Sequence, residues 1–281
     1  MQWSKIKNIV ILILLVVNAL LLAQVGYREM ESARYRRQAR DEAALLLAQS
    51  GIRVDVASLP EDPGLLSMRC ERDSGEEAVL AEALLGSSAE QPDGSFSGER
   101  GTVWFYSSGE FYAVFEPGAW PVETAPEATA YRVMELLEME CETVSVTETD
   151  DTVLVRIRQT WEGTPIFSCE TTLTFEGGEL REVRGRRLPG TPTETAGNEA
   201  MTVTSVLIRF RSAISESGYV CSEILSLTAG YEMTAVPSSS TFTLTPVWQV
   251  ETDVSTFLLE EDGTLTLVTQ ETTGTSAELT A

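Results

Sequence analysis

Asn8 to Val25 reads NIVILILLVVNALLLAQV, a run of 18 residues without a charge. As a helix rising ~1.5 Å per residue it covers ~27 Å, about the thickness of a bilayer's hydrocarbon core. Its flanks fit that use, with Lys5 and Lys7 before it and Tyr27-Arg28 after it. A transmembrane anchor over residues 8–26, behind a stub of residues 1–7, is therefore expected. The run is long for the apolar region of a signal peptide, and Leu21-Leu22-Ala23 lacks the small residue expected two positions before Ala23. An uncleaved anchor is the better reading, and no second run of comparable length occurs downstream.

Two rules disagree on orientation. Arg28, Arg34, Arg36, Arg37 and Arg40 outnumber Lys5 and Lys7, which by a bare count places the long segment in the cytoplasm. A short basic stub ahead of an anchor instead delivers the rest of the chain to the far side, and Lys5 and Lys7 are the chain's only lysines. Counting from Arg28, 18 arginines face 43 carboxylates. The expectation is a cytoplasmic N-terminus and an acidic domain outside. Such a surface repels nucleic acid and anionic headgroups and prefers basic or neutral partners.

The remaining residues are numerous enough to bury a core. Ser32–Ser50 is rich in helix formers and ends at Gly51, which suits a helix C-cap. Ile52–Val56 alternates like a short strand, Glu76–Leu85 suits a helix, Gln91–Gly101 reads as a loop, and Thr102–Phe115 is a hairpin turning at Gly109. Pro117–Pro126 separates this from a second unit. There Ala130, Val133, Met134, Leu137 and Cys141 recur at helical spacing, and alternating strands come next, turning at Glu162-Gly163 and at Glu176–Glu179. Pro189–Gly197 is the plainest linker. Val203, Val206, Leu207, Phe210 and Ile214 then form a helical stripe, with Asn198 as a possible N-cap and Gly218 as a stop, before strands at Cys221–Met233, Thr241–Thr252, Thr256–Leu259 and Thr264–Gln270.

The same order thus recurs in residues 27–125, 126–190 and 191–270, with a mobile tail at 271–281. The expected fold class is α+β, a single N-terminal transmembrane helix followed by repeated units of one helix on an antiparallel sheet. Cys70, Cys141, Cys169 and Cys221 permit two disulfides in an oxidising compartment or stand as buried thiols.

Catalytic constellations are missing. The chain has no histidine, which removes Ser-His-Asp, Cys-His and His-bearing zinc sites, and neither phosphate-binding glycine motif occurs. Glu251 and Asp253 share a strand face and read as a solvated pair rather than a glycosidase dyad. Glu260-Glu261-Asp262-Gly263 lacks the twelfth-position ligand of a calcium loop and reads as a hairpin turn. The hairpin aromatics Trp104, Phe105, Tyr106, Phe111, Tyr112 and Phe115 read mainly as core. No catalytic, cofactor-binding or metal-binding residue is expected, and the chain reads as a non-enzyme. The interaction candidates are Trp3, placed as an interfacial aromatic, and Asn18, whose amide within the apolar run suits a contact with another transmembrane helix.

Three stretches carry a family resemblance. They are Trp3-Ser4-Lys5-Ile6-Lys7-Asn8-Ile9 with the adjoining apolar run, Thr160–Phe167 (TWEGTPIF), and Gly230-Tyr231 together with Leu244–Asp253 (LTPVWQVETD). The chain thereby resembles the YycI (WalI) family of two-component-system regulatory proteins of Gram-positive bacteria. That resemblance implies a single-pass protein of the cell membrane that is not an enzyme. It also implies partners: a YycH-type companion and the transmembrane region of a WalK (YycG) sensor histidine kinase that adjusts cell-wall metabolism. Gln2 and Val254 depart from the family's usual Asp and Gly. The alternative is an exported PepSY-like module that binds or inhibits a cell-wall hydrolase or protease.

Overall fold

The computed structural model describes residues 2–195 and 200–268, without the side chains of residues 2–13, 25, 26, 28 and 29. Helix α1 (Gln2–Gln49) leads to β1 (Arg53–Val54), a 3-10 turn at Val56–Ser58, β2 (Met68–Glu71), α2 (Ser74–Leu85), β3 (Ser88–Glu90), β4 (Phe96–Gly98), β5 (Gly101–Phe105) and β6 (Glu110–Phe115). Next come α3 (Pro126–Leu136), β7 (Cys141–Thr149), β8 (Thr152–Trp161), β9 (Thr164–Glu176) and β10 (Glu179–Arg186). The chain continues through β11 (Thr193–Glu194), α4 (Val203–Ser217), β12 (Glu223–Ala235), β13 (Thr241–Thr252), β14 (Thr256–Glu260) and β15 (Leu265–Leu267).

Local chemistry accounts for the helix ends. The Asp73 carboxylate accepts from the amides of Gly75 and Glu76 and so caps α2. Thr202 Oγ1 accepts from the Ser205 amide and caps α4, the place expected for Asn198, which lies outside the described residues. Gly218 ends α4 at φ +76°, as its position past the apolar stripe suggests. Helix α3 stops earlier than its periodicity indicates. Glu138 turns the chain at φ +52°, and Cys141 opens β7 instead of closing the helix.

The expected fold class is corrected on two counts. The protein holds more strand than helix, and its strands join in one large mixed sheet instead of separate repeated units. The cause is strand length. Strand β9, 13 residues long, pairs with β8 along one edge, while its other edge takes β12 near Ile166 and β10 from Thr171 onward. Strand β13, 12 residues long, pairs with β12 on one edge and divides the other between β2 and β14. What read as a first unit is distributed over this frame, β1 onto β12, β2 onto β13, and β3 to β6 as a meander extending from β10. Two segments expected to be irregular contribute strands, β4 within Gln91–Gly101 and β11 within Pro189–Gly197.

The second correction concerns the span. Among the described residues no helix is long and apolar enough to cross a membrane. Helix α1 runs unbroken through Gly26 to a stop at Gly51, φ +85°, where a C-cap was expected.

Three apolar clusters fill the fold. One lies under α2 and α3 and includes Leu84, Phe111, Met134, Leu173 and Phe175. A second lies under α4 and the end of α1, where Ala43 and Leu47 meet Phe210, Trp248 and Phe257. A third, smaller cluster of Ile166, Cys169, Tyr231, Met233 and Phe242 joins the two halves of the sheet. Its closeness depends on Gly230. A Cβ there lies 2.5 Å from Phe167 Cε2 and 2.6 Å from the Pro165 carbonyl oxygen. Gly230→Ala is expected to lower unfolding stability by about 1–3 kcal/mol, read as a reduced urea midpoint. A neighbouring control at exposed Leu225, Leu225→Ala, should leave the midpoint nearly unchanged.

Candidate interaction surface

The two residues singled out in the sequence both lie on α1, 15 positions and hence about 22 Å apart along its axis. The side chain of Trp3 lies outside the described residues. Asn18 is exposed, amid Leu14, Leu15, Val16, Val17, Leu20, Leu21 and Leu22, which are 46–73% exposed. Among the described residues the sheet domain meets α1 near its C-terminal end, where Ala43 and Leu47 are buried and Arg40 lies 3.4 Å from Asp62. Asp62 in turn accepts the Val203 amide at 2.7 Å, which ties α1 and the start of α4 to one carboxylate. The structure thus separates Trp3 and Asn18 from the motif stretches of the sheet.

Those stretches meet one another. Ile166 pairs with Tyr231, Tyr231 with Pro246, and Gly230 with Val247, which brings Thr160–Phe167, Gly230-Tyr231 and Leu244–Asp253 into one junction. The Met233 amide donates to Ser168 Oγ at 2.7 Å, and Cys169 Sγ lies 3.8 Å from Met233 Sδ. This junction is packed and apolar. Burial pushes the Tyr231 hydroxyl upward and lifts the Cys169 thiol to about 12. Cys70 and Cys141 are raised to about 11 by burial, and all four cysteines are free thiols. Thiols held protonated in this way are poor nucleophiles.

A polar strap lies beside the junction. Arg72 donates to both carboxylate oxygens of Glu77, at 2.6 and 2.8 Å, and to the Phe105 carbonyl at 3.3 Å. Arg187, 4% exposed, lies 3.9 Å from Glu76, donates to the Leu188 carbonyl, and stacks over Phe105. Its Nη2 has no hydrogen-bond partner among the described residues. The hydrogen bond from Arg72 to Glu77 raises the Arg72 pKa, while burial lowers that of Arg187. The strap ties α2 to Phe105 at the end of β5 and to the segment that follows β10. Sequence reading passed over these residues, although a signal was present: Arg187 shares strand parity with inward-facing Val183 and Gly185.

The carboxylate pair weighed as a dyad has other work. Asp253 accepts from Ser222 Oγ at 2.6 Å and from the amides of Ser222 and Glu223, whereas Glu251 accepts from Ser226 Oγ at 2.8 Å. Asp262 accepts from the Thr264 amide within the turn joining β14 to β15. In the hairpin of β5 and β6, Phe111 and Phe115 are buried and Trp104 stacks on Tyr112 with centroids 5.5 Å apart. Among the described residues no group of three or more metal-ligating side chains occurs.

No family model matches this chain, and no curated protein matches it. Among solved structures the chain is similar to an uncharacterized protein from Eubacterium rectale ATCC 33656. That likeness has a TM-score of 0.43 and 12% identity, over 75% of this chain and 83% of that one. It is also similar to the Bacillus megaterium YpeB C-terminal domain, with a TM-score of 0.32 and 7% identity over 72% of this chain and 100% of that one.

Two outcomes test the geometry. Glu77→Gln leaves Arg72 half-satisfied and should cost about 2 kcal/mol, measured by urea unfolding. The Asp253 pKa is lowered by hydrogen bonds from Ser222, so its contribution to stability is present above the unfolded carboxylate pKa and disappears as pH falls through the lower folded value. The difference in urea midpoint between the wild-type chain and Asp253→Asn should therefore be constant near neutrality and close toward zero in acid, below pH ~4.

Proposed function

We propose that this chain is a regulatory protein without catalytic activity, held at the cell membrane by the start of α1 with its sheet outside the cell. It works through contacts with a YycH-type companion and the transmembrane region of a WalK-type sensor histidine kinase that adjusts cell-wall metabolism. The observation that carries this reading is the exposed apolar surface from Leu14 to Leu22, which no described residue covers. Contiguous apolar surface on that scale marks a site for lipid or another protein. Asn18, within it, offers a neighbouring helix a hydrogen bond of ~1 kcal/mol.

The convergence of the resembling stretches at the sheet junction supports the family reading on the side of the fold, because residues far apart in sequence meet there. A second reading, an exported PepSY-like module that binds or inhibits a wall hydrolase or protease, draws on a different observation. The cluster beneath α2 and α3 and the cluster at the sheet junction take no residue from α1.

A photocrosslinker replacing Asn18 in the full-length chain, activated in intact cells, separates the two. The first reading expects a sensor histidine kinase among the captured proteins, with capture at least tenfold lower when the crosslinker stands at Tyr35 instead. Capture of lipid alone at position 18, with a hydrolase or protease captured from sheet positions, sinks the first reading in favour of the second.

A further inference from the structure

Among the described residues β7 pairs with β8 alone, so its other edge is open along nine residues. The strand is also exposed on both faces, with only Cys141 and Ser145 half-buried. Other strands that end the sheet are far shorter: three residues in β3, two in β11 and three in β15. An open edge presents alternate backbone N–H and C=O groups to any extended chain, and proteins blunt such edges with brevity, lysine, proline or bulges. Strand β7 is long, contains neither lysine nor proline, and has one bulge, between Thr143 and Ser145. Thr143, Val144, Val146, Thr147 and Thr149 are β-branched, with Val144 and Val146 exposed. This is a surface suited to pairing.

The surroundings specify the occupant. Tyr131 Oη lies 2.8 Å from Thr143 Oγ1 and ties α3 to β7, and an open groove of about 670 Å³ beside them is lined by Ala128, Tyr131, Glu135, Met139, Glu140 and Cys141. Glu142 and Glu148 stand on the strand and Asp150 and Asp151 in its turn. Of these acids only Glu142 has a cation within 4 Å, Arg158 at 3.6 Å. Arg132, the groove's own cation, is engaged by Glu123 at 3.7 Å and by the Trp120 ring. A second copy of the chain is a poor occupant. Antiparallel self-pairing centred on Ser145 sets Glu142 opposite Glu148 twice, and like charges directly opposed are destabilising.

From this we infer that β7 is a strand-addition site that takes an extended, positively charged segment of another protein. Backbone pairing along β7 supplies the affinity, and lysine or arginine side chains meeting Glu135, Glu140, Glu142 and Glu148 supply the selectivity. The inference does not rest on the membrane reading, and neither stands or falls with the other.

The test uses the full-length chain in detergent micelles and a synthetic ten-residue peptide of alternating lysine and valine. Two control peptides accompany it, the same sequence N-methylated at alternate residues and one of alternating glutamate and valine. Amide hydrogen exchange on addition of the lysine peptide should slow within residues 141–149, and both controls should bind at least tenfold more weakly. The variant with Glu142→Lys and Glu148→Lys, both at exposed positions, should fold normally and favour the glutamate peptide. Slowing absent from β7, equal binding of the N-methylated peptide, or protection of β7 by dimerisation without peptide would each overturn the inference.

Discussion

Long strands with divided edges dominate this molecule. A strand of five or six residues has room for one neighbour on each side, but β9 and β13 are twice that length and hold two neighbours on one side. That geometry brings two antiparallel halves into one sheet, and it concentrates demands at the place where they join. Backbones must approach closely there, which is why a glycine stands at position 230 against Phe167 and Pro165. Side chains must also be apolar on the inside, and the third cluster of Ile166, Cys169, Tyr231, Met233 and Phe242 meets that demand. The buried strap of Arg72, Glu77 and Arg187 fastens α2 to the same region.

Legibility in the sequence followed the range of the interaction that decides each element. Helix α4 was readable because a 15-residue stripe and a terminal glycine are local signals, and the β5 and β6 hairpin because aromatic alternation interrupted by Gly109 is equally local. Strand β2, four residues whose partners β13 and β11 lie far along the chain, left too short an alternation to detect, and β11 was hidden in a proline-bearing stretch. The error about repeated units had the same origin. Counting helices and strands in order identifies modules only when each sheet closes on itself, and nothing local in β9 announces that its far edge will be shared by β10 and β12.

The site residues divide in the same way. Trp3 and Asn18 were chosen from position along an apolar run, a reading of the surroundings α1 would need and not of any contact within the chain. The polar strap could be approached only through strand parity, since an arginine in an exposed acidic protein ordinarily faces water. Its burial beside Phe105 becomes intelligible once β10 is placed between β9 and β6. The carboxylate pair Glu251 and Asp253, read as solvated, is exposed, but each member also accepts a hydrogen bond from a serine, Ser226 and Ser222 respectively.

Two surfaces stand out among the described residues as uncovered. Cys70, Cys169 and Cys221 are buried, and the carboxylates of Asp73, Asp253 and Asp262 accept from neighbouring amides or hydroxyls. Against that background the two surfaces without internal partners stand apart for opposite reasons. The α1 stretch from Leu14 to Leu22 offers apolar area with its backbone bonds already made, so its cover is selected by oil-like surface and one amide. The outer edge of β7 offers backbone bonds with little apolar area, so its cover is selected by extension and charge. The two surfaces thus differ in kind, one apolar with its backbone satisfied and the other polar with its backbone open, and they lie at two places on the chain.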